Sequence, residues 1–345
     1  MPDPVDPDHL LGLLRSGDLP GPDEDAAAQA RACDAELTKP AGALGRLEDL
    51  AVFLAAWQGR HPPRLDRVRV AVFAGWHGIA ARGDVSAYPA EVTAQMVANF
   101  RAGGAAVNRL AAVAGAELVI DAVREGTPTA DLTVAPAMSE VTLRECLAAG
   151  AGQVPVDGDD RLDLLAVGEM GIANTTSSAA IAAALYREPA SAWAGPGTGL
   201  DAAGVAHKAA VVEAALARHA GSLDEPIEVL RRLGGHEIAA MAGAVAAARL
   251  RRVPVLLDGF TATAAAAVLH ALAPGSVAHC LAGHRSAEPG HARLLGRLGL
   301  VPLLDLGLRL GEASGATLAV PLLRGALACH TGMATFAGAR VSRRC

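Results

Sequence analysis

Lysine is nearly missing from this chain of 345 residues: only Lys39 and Lys208 carry an ammonium, and Arg supplies every other basic side chain. A lysine kept against such a background hints at a need for a compact point charge. Aromatic residues make up 3%, too few for the stacking platforms of single-strand binders. The net charge of -6 argues the same way, since nucleic-acid binders draw most of their affinity from clustered Lys and Arg. No apolar run reaches the roughly 18 residues of a membrane span. The start, MPDPVDPDHLLGLLRSGDLPGPDED, is acidic and Pro-rich where a secretory leader would be basic and then apolar. The expectation is a cytoplasmic protein that engages neither membrane nor nucleic acid and acts on small molecules.

Other absences narrow the chemistry. The five cysteines, Cys33, Cys146, Cys280, Cys329 and Cys345, are scattered with no CxxC or His-spaced pair, so they read as reduced thiols without a disulfide framework or zinc site. No GxGxxG follows the first strand and no Gly-rich loop ends in GKS/T, so a dinucleotide or nucleoside triphosphate is unsupported. HExxH and GxSxG are missing too, which removes zinc-protease and serine-nucleophile readings. No cofactor and no metal is implied.

What is present is a globular composition, 52% hydrophobic and 19% charged. Residues 1–60 read as helical, with apolar residues at helical spacing over 23–31 and 45–58. From Arg67 the texture changes to short apolar runs ending in Gly or an acid: VRVAVFAG, ELVIDAV (117–123), LDLLAVGEMG (162–171), VPVLLDGF (253–260) and LVPLLDLG (300–307). Ala-rich helical stretches lie between them, notably 91–114, 175–187, 201–218 and 236–250. Buried strands alternating with helices predict an α/β fold with a mostly parallel sheet. After Ala313 the chain reads as helix, kinked or started by Pro321.

The polar and glycine residues gather after the strands, where ligands bind in open α/β sheets. In LGEASGA the carboxylate of Glu312 sits in a turn between Gly311 and Gly315, ahead of a helix whose free N–H groups suit an anion. The turn predicts a base beside a phosphate cradle formed with Ser314 and Gly315. In GEMGIANTT, Glu169 ends a buried strand, which is costly unless the acid is paired or used; Gly171 permits close approach, and Asn174 can cap the next helix. GPGTGLD (195–201), with Gly199, precedes Lys208, a pairing that fits a monophosphate or a plain flexible loop. In GHRSAEPGH (283–291), Ser286 is the preferred donor to a substrate oxygen, and the histidines read as structural. Tyr88 and Gln95, seven apart, would share one helix face as an aromatic wall and an amide, or else serve as core and solvent residues.

Taken together and in order, LTKPAGALGRLE, FAGWHGIA, VSAYPAEVTAQMV, GGAAVN, GEMGIANTT, GTGLD, GGHEIAAMAGA, RVPVLLDGF, GHRSAEPGH, LLDLGLRLGEASGATLA and MATF resemble the nicotinate-nucleotide:dimethylbenzimidazole phosphoribosyltransferase family over about residues 36–340. The resemblance implies a Rossmann-like large domain (63–313), a small helical domain from both termini (1–62 and 314–345), and a homodimer. It implies a phosphoribosyl transfer from nicotinate mononucleotide to 5,6-dimethylbenzimidazole with Glu312 as general base and Glu169 as the second catalytic acid. Phosphate and ribose would fall to Gly171, Asn174, Gly199, Lys208, Asp258, Ser286, Ser314 and Gly315, and the acceptor base to Tyr88, Gln95, Leu310 and Met170. Where the family usually reads Asp before His-Gly, this chain has Trp76, expected to narrow the acceptor site if it points inward and to bury itself at a subunit contact if it points outward. A relative using a purine or phenol acceptor, and a non-catalytic nucleotide-binding protein, are the alternatives.

Overall fold

The computed structural model describes residues 6–155 and 161–342. In chain order the elements are α1 (Pro7–Ser16), α2 (Glu24–Glu36), α3 (Arg46–Gln58), β1 (Val68–Ala74), α4 (Val92–Arg101), α5 (Ala106–Ala114), β2 (Glu117–Ala122), α6 (Glu140–Gly152) and β3 (Leu164–Met170). Then follow α7 (Asn174–Tyr186), α8 (Ala202–Arg218), α9 (Pro226–Leu233), α10 (His236–Leu250), β4 (Val255–Leu257), α11 (Phe260–Leu272), β5 (Cys280–Ala282), α12 (Pro289–Leu298), α13 (Ser314–Gly332) and α14 (Phe336–Ala339). The five strands pair in the order β2-β1-β3-β4-β5, all parallel. In this order the chain reverses direction of winding between β1 and β3, the place where open α/β sheets open a crevice at their carboxyl ends.

Apart from the edge strand β2, which is only partly buried, the apolar runs become strands because both faces are covered. Helices α10 and α11 pack on β3 together with α4 and α13, and Val70, Val72, Phe73, Leu164, Leu165 and Val167 are wholly buried. Helices α10 and α11 are themselves buried almost throughout, which explains their uniform Ala-rich texture without a polar stripe.

Two sequence expectations fail on local grounds, and a third is narrowed. Residues 300–307 form no strand; only Leu304 makes an isolated parallel bridge, to His284, and the fifth strand is instead Cys280–Ala282. The expected helix over 91–114 is two helices, parted at Gly103, whose φ of 79° suits glycine. Pro321 lies inside the continuous α13 and does not begin it.

The chain ends meet. Leu37 and Thr335 form an antiparallel bridge, the Thr38 N–H donates to Ala334 O at 3.0 Å, and α13 packs on α3. Beside this seam Lys39 Nζ holds Asp34 at 2.7 Å and Glu48 at 2.9 Å, so this lysine is a structural cation. Cys33, Cys146, Cys280 and Cys329 are free thiols, and Cys345 lies outside the described residues.

Candidate active site

At the carboxyl edge of the sheet a cleft is lined by Glu169, Met170, Gly171, Asn174, Lys208, Ser286 and Leu310, all expected from sequence. Thr175, Thr198, Thr261, Glu288 and Arg309 also line it and were not singled out. Their signal was weak, because Thr and Arg in Gly-rich loops are common; only adjacency to expected residues marked them.

Strand β3 delivers Glu169 to the cleft floor. Burial pushes its carboxyl up to about 8 against the opposing hydrogen bond from Asn174, and the nearby acids Glu237, Asp258 and Glu312 push it further. Such a carboxyl holds its proton near neutrality and can exchange it there. The turn bearing Glu312 lies directly alongside: the Glu312 N–H donates to Glu169 O at 3.0 Å, and a Cβ on Gly168 would stand 2.1 Å from the Ala313 nitrogen.

Glu312 is buried and, unlike Gly311 before it, does not itself line the cleft. It is 4% exposed and has left-handed backbone at φ 62°, as do Gly311 and Ala313. Burial, then the charge of Asp258, pushes its carboxyl up to about 7. Three consecutive residues in this region, two of them with a Cβ, store strain of the kind found at functional turns.

The predicted phosphate cradle ahead of α13 is already filled. Asp258 Oδ1 accepts from the Ala316 N–H at 2.9 Å, so this acid caps α13 and does not line the cleft. Gly315 packs against His284, where a Cβ would lie 2.0 Å from Cδ2, and Ser314 Oγ donates to Gly311 O at 2.6 Å. Asp258, Ser314 and Gly315 are thus internal supports of the Glu312 turn.

The open anion site is at the start of α7. Its N-cap residue Ala173, at φ 73°, offers no side-chain acceptor; the Asn174 N–H goes to Gly171 O at 3.2 Å and the Thr176 N–H to Ala173 O at 2.9 Å, which leaves the N–H of Thr175, a cleft-lining residue, as the donor at this helix start. Lys208, 1% exposed, reaches Thr175 Oγ1 at 3.1 Å and Gly195 O at 3.0 Å. Burial lowers its ammonium to about 8, against the pull of Glu288. Glu288 Oε1 accepts from the Gly197 N–H at 2.6 Å, so this backbone donor of the GPGTG loop is spent internally. Gly199 is exposed and outside the cleft lining. Arg309 fastens the same loop through Gly197 O at 3.1 Å and adds a second cation at the rim.

Ser286 faces the cleft and is held by its backbone N–H donating to His291 Nδ1 at 2.8 Å. His291, pushed down to about 3 by burial, stays neutral, so its Nε2 carries the hydrogen toward Thr263 Oγ1 at 3.0 Å. It is a structural histidine, as its sequence context suggested. Below Gly171 lies a buried set that sequence reasoning missed: His77 Nε2 is 2.7 Å from Glu237 Oε1, and Ser177 Oγ is 3.2 Å from His77 Nδ1. A Cβ on Gly171 would come within 3.1 Å of Glu237, so this glycine serves packing as well as ligand approach.

Tyr88 and Gln95 do not share the expected helix face. Tyr88 precedes Pro89 and the start of α4, so the two-turn spacing does not apply; both are exposed and neither lines the cleft. Trp76 lines a separate groove with Thr93, Pro128 and Ile172 and does not narrow this one.

A parallel α/β sheet carrying paired acids and a cationic anion site is the setting of a group-transferring enzyme, and the family model described as Phosphoribosyltransferase matches residues 19–341. The nicotinate-nucleotide–dimethylbenzimidazole phosphoribosyltransferase of Novosphingobium aromaticivorans is 58% identical over 94% of each chain, and that of Methylocella silvestris 54% over 97% of this chain and 95% of its own. The crystal structure of CobT from Thermus thermophilus superposes with a TM-score of 0.85 at 45% identity, covering 93% of this chain and all of the other. The chain belongs to the nicotinate-nucleotide–dimethylbenzimidazole phosphoribosyltransferase family, a family of pentosyltransferases.

Proposed function

We propose that this chain moves the 5-phosphoribosyl group of nicotinate mononucleotide to 5,6-dimethylbenzimidazole, giving nicotinate and α-ribazole 5'-phosphate. The carrying observation is the pair of acids pushed up to about 8 and about 7, set beside a buried lysine and an uncapped helix start. The phosphate sits on the Thr175 N–H at the start of α7, Lys208 and Ser286, with Arg309 at the rim. The bond from C1' to the pyridine nitrogen breaks and its electrons neutralise that cationic nitrogen, so the leaving group needs no acid. One benzimidazole nitrogen bonds C1' from the opposite face, and the proton on its other nitrogen passes to a carboxylate. Glu312 is the general base, its raised value suiting work at neutral pH, and Glu169, which keeps its proton there, positions the acceptor.

A second reading exchanges these roles, favoured by the position of Glu169 on the cleft lining. Leu310 and Met170 give the acceptor ring its apolar contacts. Tyr88, Leu306 and Leu310, exposed by 54%, 61% and 54%, form apolar surface that a second copy would cover, so the working unit is a cytoplasmic homodimer in which Tyr88 and Gln95 meet the acceptor. Among the described residues no helix is long and apolar enough to cross a membrane. The seam between α2, α3 and α13 is the core of a small helical domain expected over 1–62 and 314–345 beside a large domain of 63–313, although α1 packs on α6, α10 and α11 of the large one.

Nicotinate mononucleotide incubated with a panel of bases tests the proposal. Nicotinate release with an α-linked ribotide of dimethylbenzimidazole is the expected result. Preference for a purine or phenol moves the acceptor, and binding without turnover on any base leaves a nucleotide-binding protein.

A further inference from the structure

Far apart in sequence, Cys33 on α2, His61 after α3 and His330 near the end of α13 bring a thiol and two imidazoles together, with ligand atoms all within 4.8 Å of one another. His61 Nε2 and His330 Nε2 face each other at 3.0 Å with their rings nearly perpendicular. At most one of these nitrogens carries a hydrogen, so at least one lone pair already points at the other ring. None of the three lines the cleft.

We propose that Cys33, His61 and His330 form a binding site for one zinc-type divalent ion, which clips the two ends of the chain together. One sulfur and two imidazole nitrogens are the donor set of zinc and cobalt(II), and a poor one for magnesium or calcium. Bond lengths of about 2.0–2.1 Å to nitrogen and about 2.3 Å to sulfur put tetrahedral donors roughly 3.3–3.7 Å apart. The present separations, 3.0 Å between the two Nε2 atoms and no more than 4.8 Å among all three residues, bracket that range. His330 Nδ1 has no hydrogen-bond partner, so no contact at Nδ1 fixes which tautomer the ring adopts. Cys33 and His61 are only half-buried, which gives the ion an entry path and leaves the fourth position to water. On binding, the Cys33 thiol loses its proton to solvent and the imidazoles stay neutral, leaving the site one positive charge.

The clip joins segments that already touch. Cys33 Sγ lies 3.9 Å from His330 O, and the Leu37–Thr335 bridge follows a few residues on. An ion bound here stabilises the folded form by mass action, because the unfolded chain does not hold the three donors together.

Full-length protein freed of metal with a chelator is titrated with cobalt(II), read by absorption, and then with zinc. One cobalt per chain is expected, with visible bands of a tetrahedral site and a thiolate charge-transfer band, and zinc should displace it. Cys33→Ser should lose the charge-transfer band, His61→Gln should weaken cobalt binding by about tenfold or more, and Cys329→Ser, the neighbouring thiol, should keep both. Zinc should raise the Tm of wild type and of Cys329→Ser, and not that of Cys33→Ser. Failure of wild type to bind stoichiometric cobalt overturns the proposal, as does a band that survives Cys33→Ser or vanishes with Cys329→Ser. His61→Gln changes a half-buried side chain, so the test does not depend on a buried His330 variant folding.

Discussion

The turns Gly168–Asn174 and Gly311–Ser314 are close to the same device used twice. Each places a glutamate after a glycine, and each enters its helix through an alanine in the left-handed region, Ala173 at φ 73° and Ala313 at φ 57°. Their fates differ because of what stands opposite. At α13 the carboxylate of Asp258 takes the Ala316 N–H and His284 fills the space over Gly315. At α7 no side chain takes that place, and Lys208 waits alongside. A helix start supplies donors, and a residue remote in sequence decides whether they serve the fold or a ligand.

The largest break in this comparison comes from the acids themselves. Glu312→Gln and Glu169→Gln should each lower single-turnover rates by about 10² to 10⁴, the usual worth of a positioned proton acceptor or charge. Wild-type rates in Glu312→Gln would remove it from the chemistry and leave Glu169 as the base.

Next, Lys208→Ala should raise KM for nicotinate mononucleotide by about 10- to 100-fold, the worth of a charge-assisted contact. The nucleoside lacking phosphate should be little affected. Asp258→Asn, at the filled turn, should leave that KM alone; if it weakens phosphate binding as much as Lys208→Ala does, the two helix starts have been assigned the wrong way round.

Acid and lysine together set a pH window. With Glu312 as base, kcat/KM should rise through about pH 7 as its carboxyl ionises, and fall above about pH 8 as Lys208 loses its charge. An ascending limb near pH 8 would instead point to Glu169.

Stability should show the same acids with the opposite sign. The Glu169 carboxyl titrates near 8 when folded and near 4.5 when unfolded, so between these values the folded form holds the extra proton. Stability is therefore lost as pH rises through that range, and Glu169→Gln should flatten the slope of Tm against pH. The smallest effect belongs to the filled turn: Asp258→Ala should cost about 1 kcal/mol, the worth of a helix cap, read from denaturant midpoints.

Most of the sheet was legible because strands buried on both faces write themselves as unbroken apolar runs. β5 escaped because His279 interrupts the apolar run that holds Cys280–Ala282, and 300–307 misled because an apolar run containing Pro302 can lie along a sheet without joining its ladder. In the site, Glu169, Asn174 and Lys208 were readable from strand-end position and residue type. The burial of Glu312 was not, since it depends on Asp258 and His284 arriving from other loops. Tyr88 and Gln95 were misplaced by assuming that α4 begins before Pro89.

Both lysines of this chain are interior: the side chain of Lys39 is 6% exposed and locked between two acids, and Lys208 is 1% exposed. Every cation on the outer surface among the described side chains is therefore an arginine or a histidine. Acylating reagents that seek free amines meet almost no competing target on such a surface. Lys208, about half of it uncharged near pH 8, is the side-chain amine able to react, and only with a reagent small enough to enter the cleft. Mass-spectrometric counting of added acyl groups would then amount to an occupancy meter for the phosphate position, with bound mononucleotide lowering the count by one.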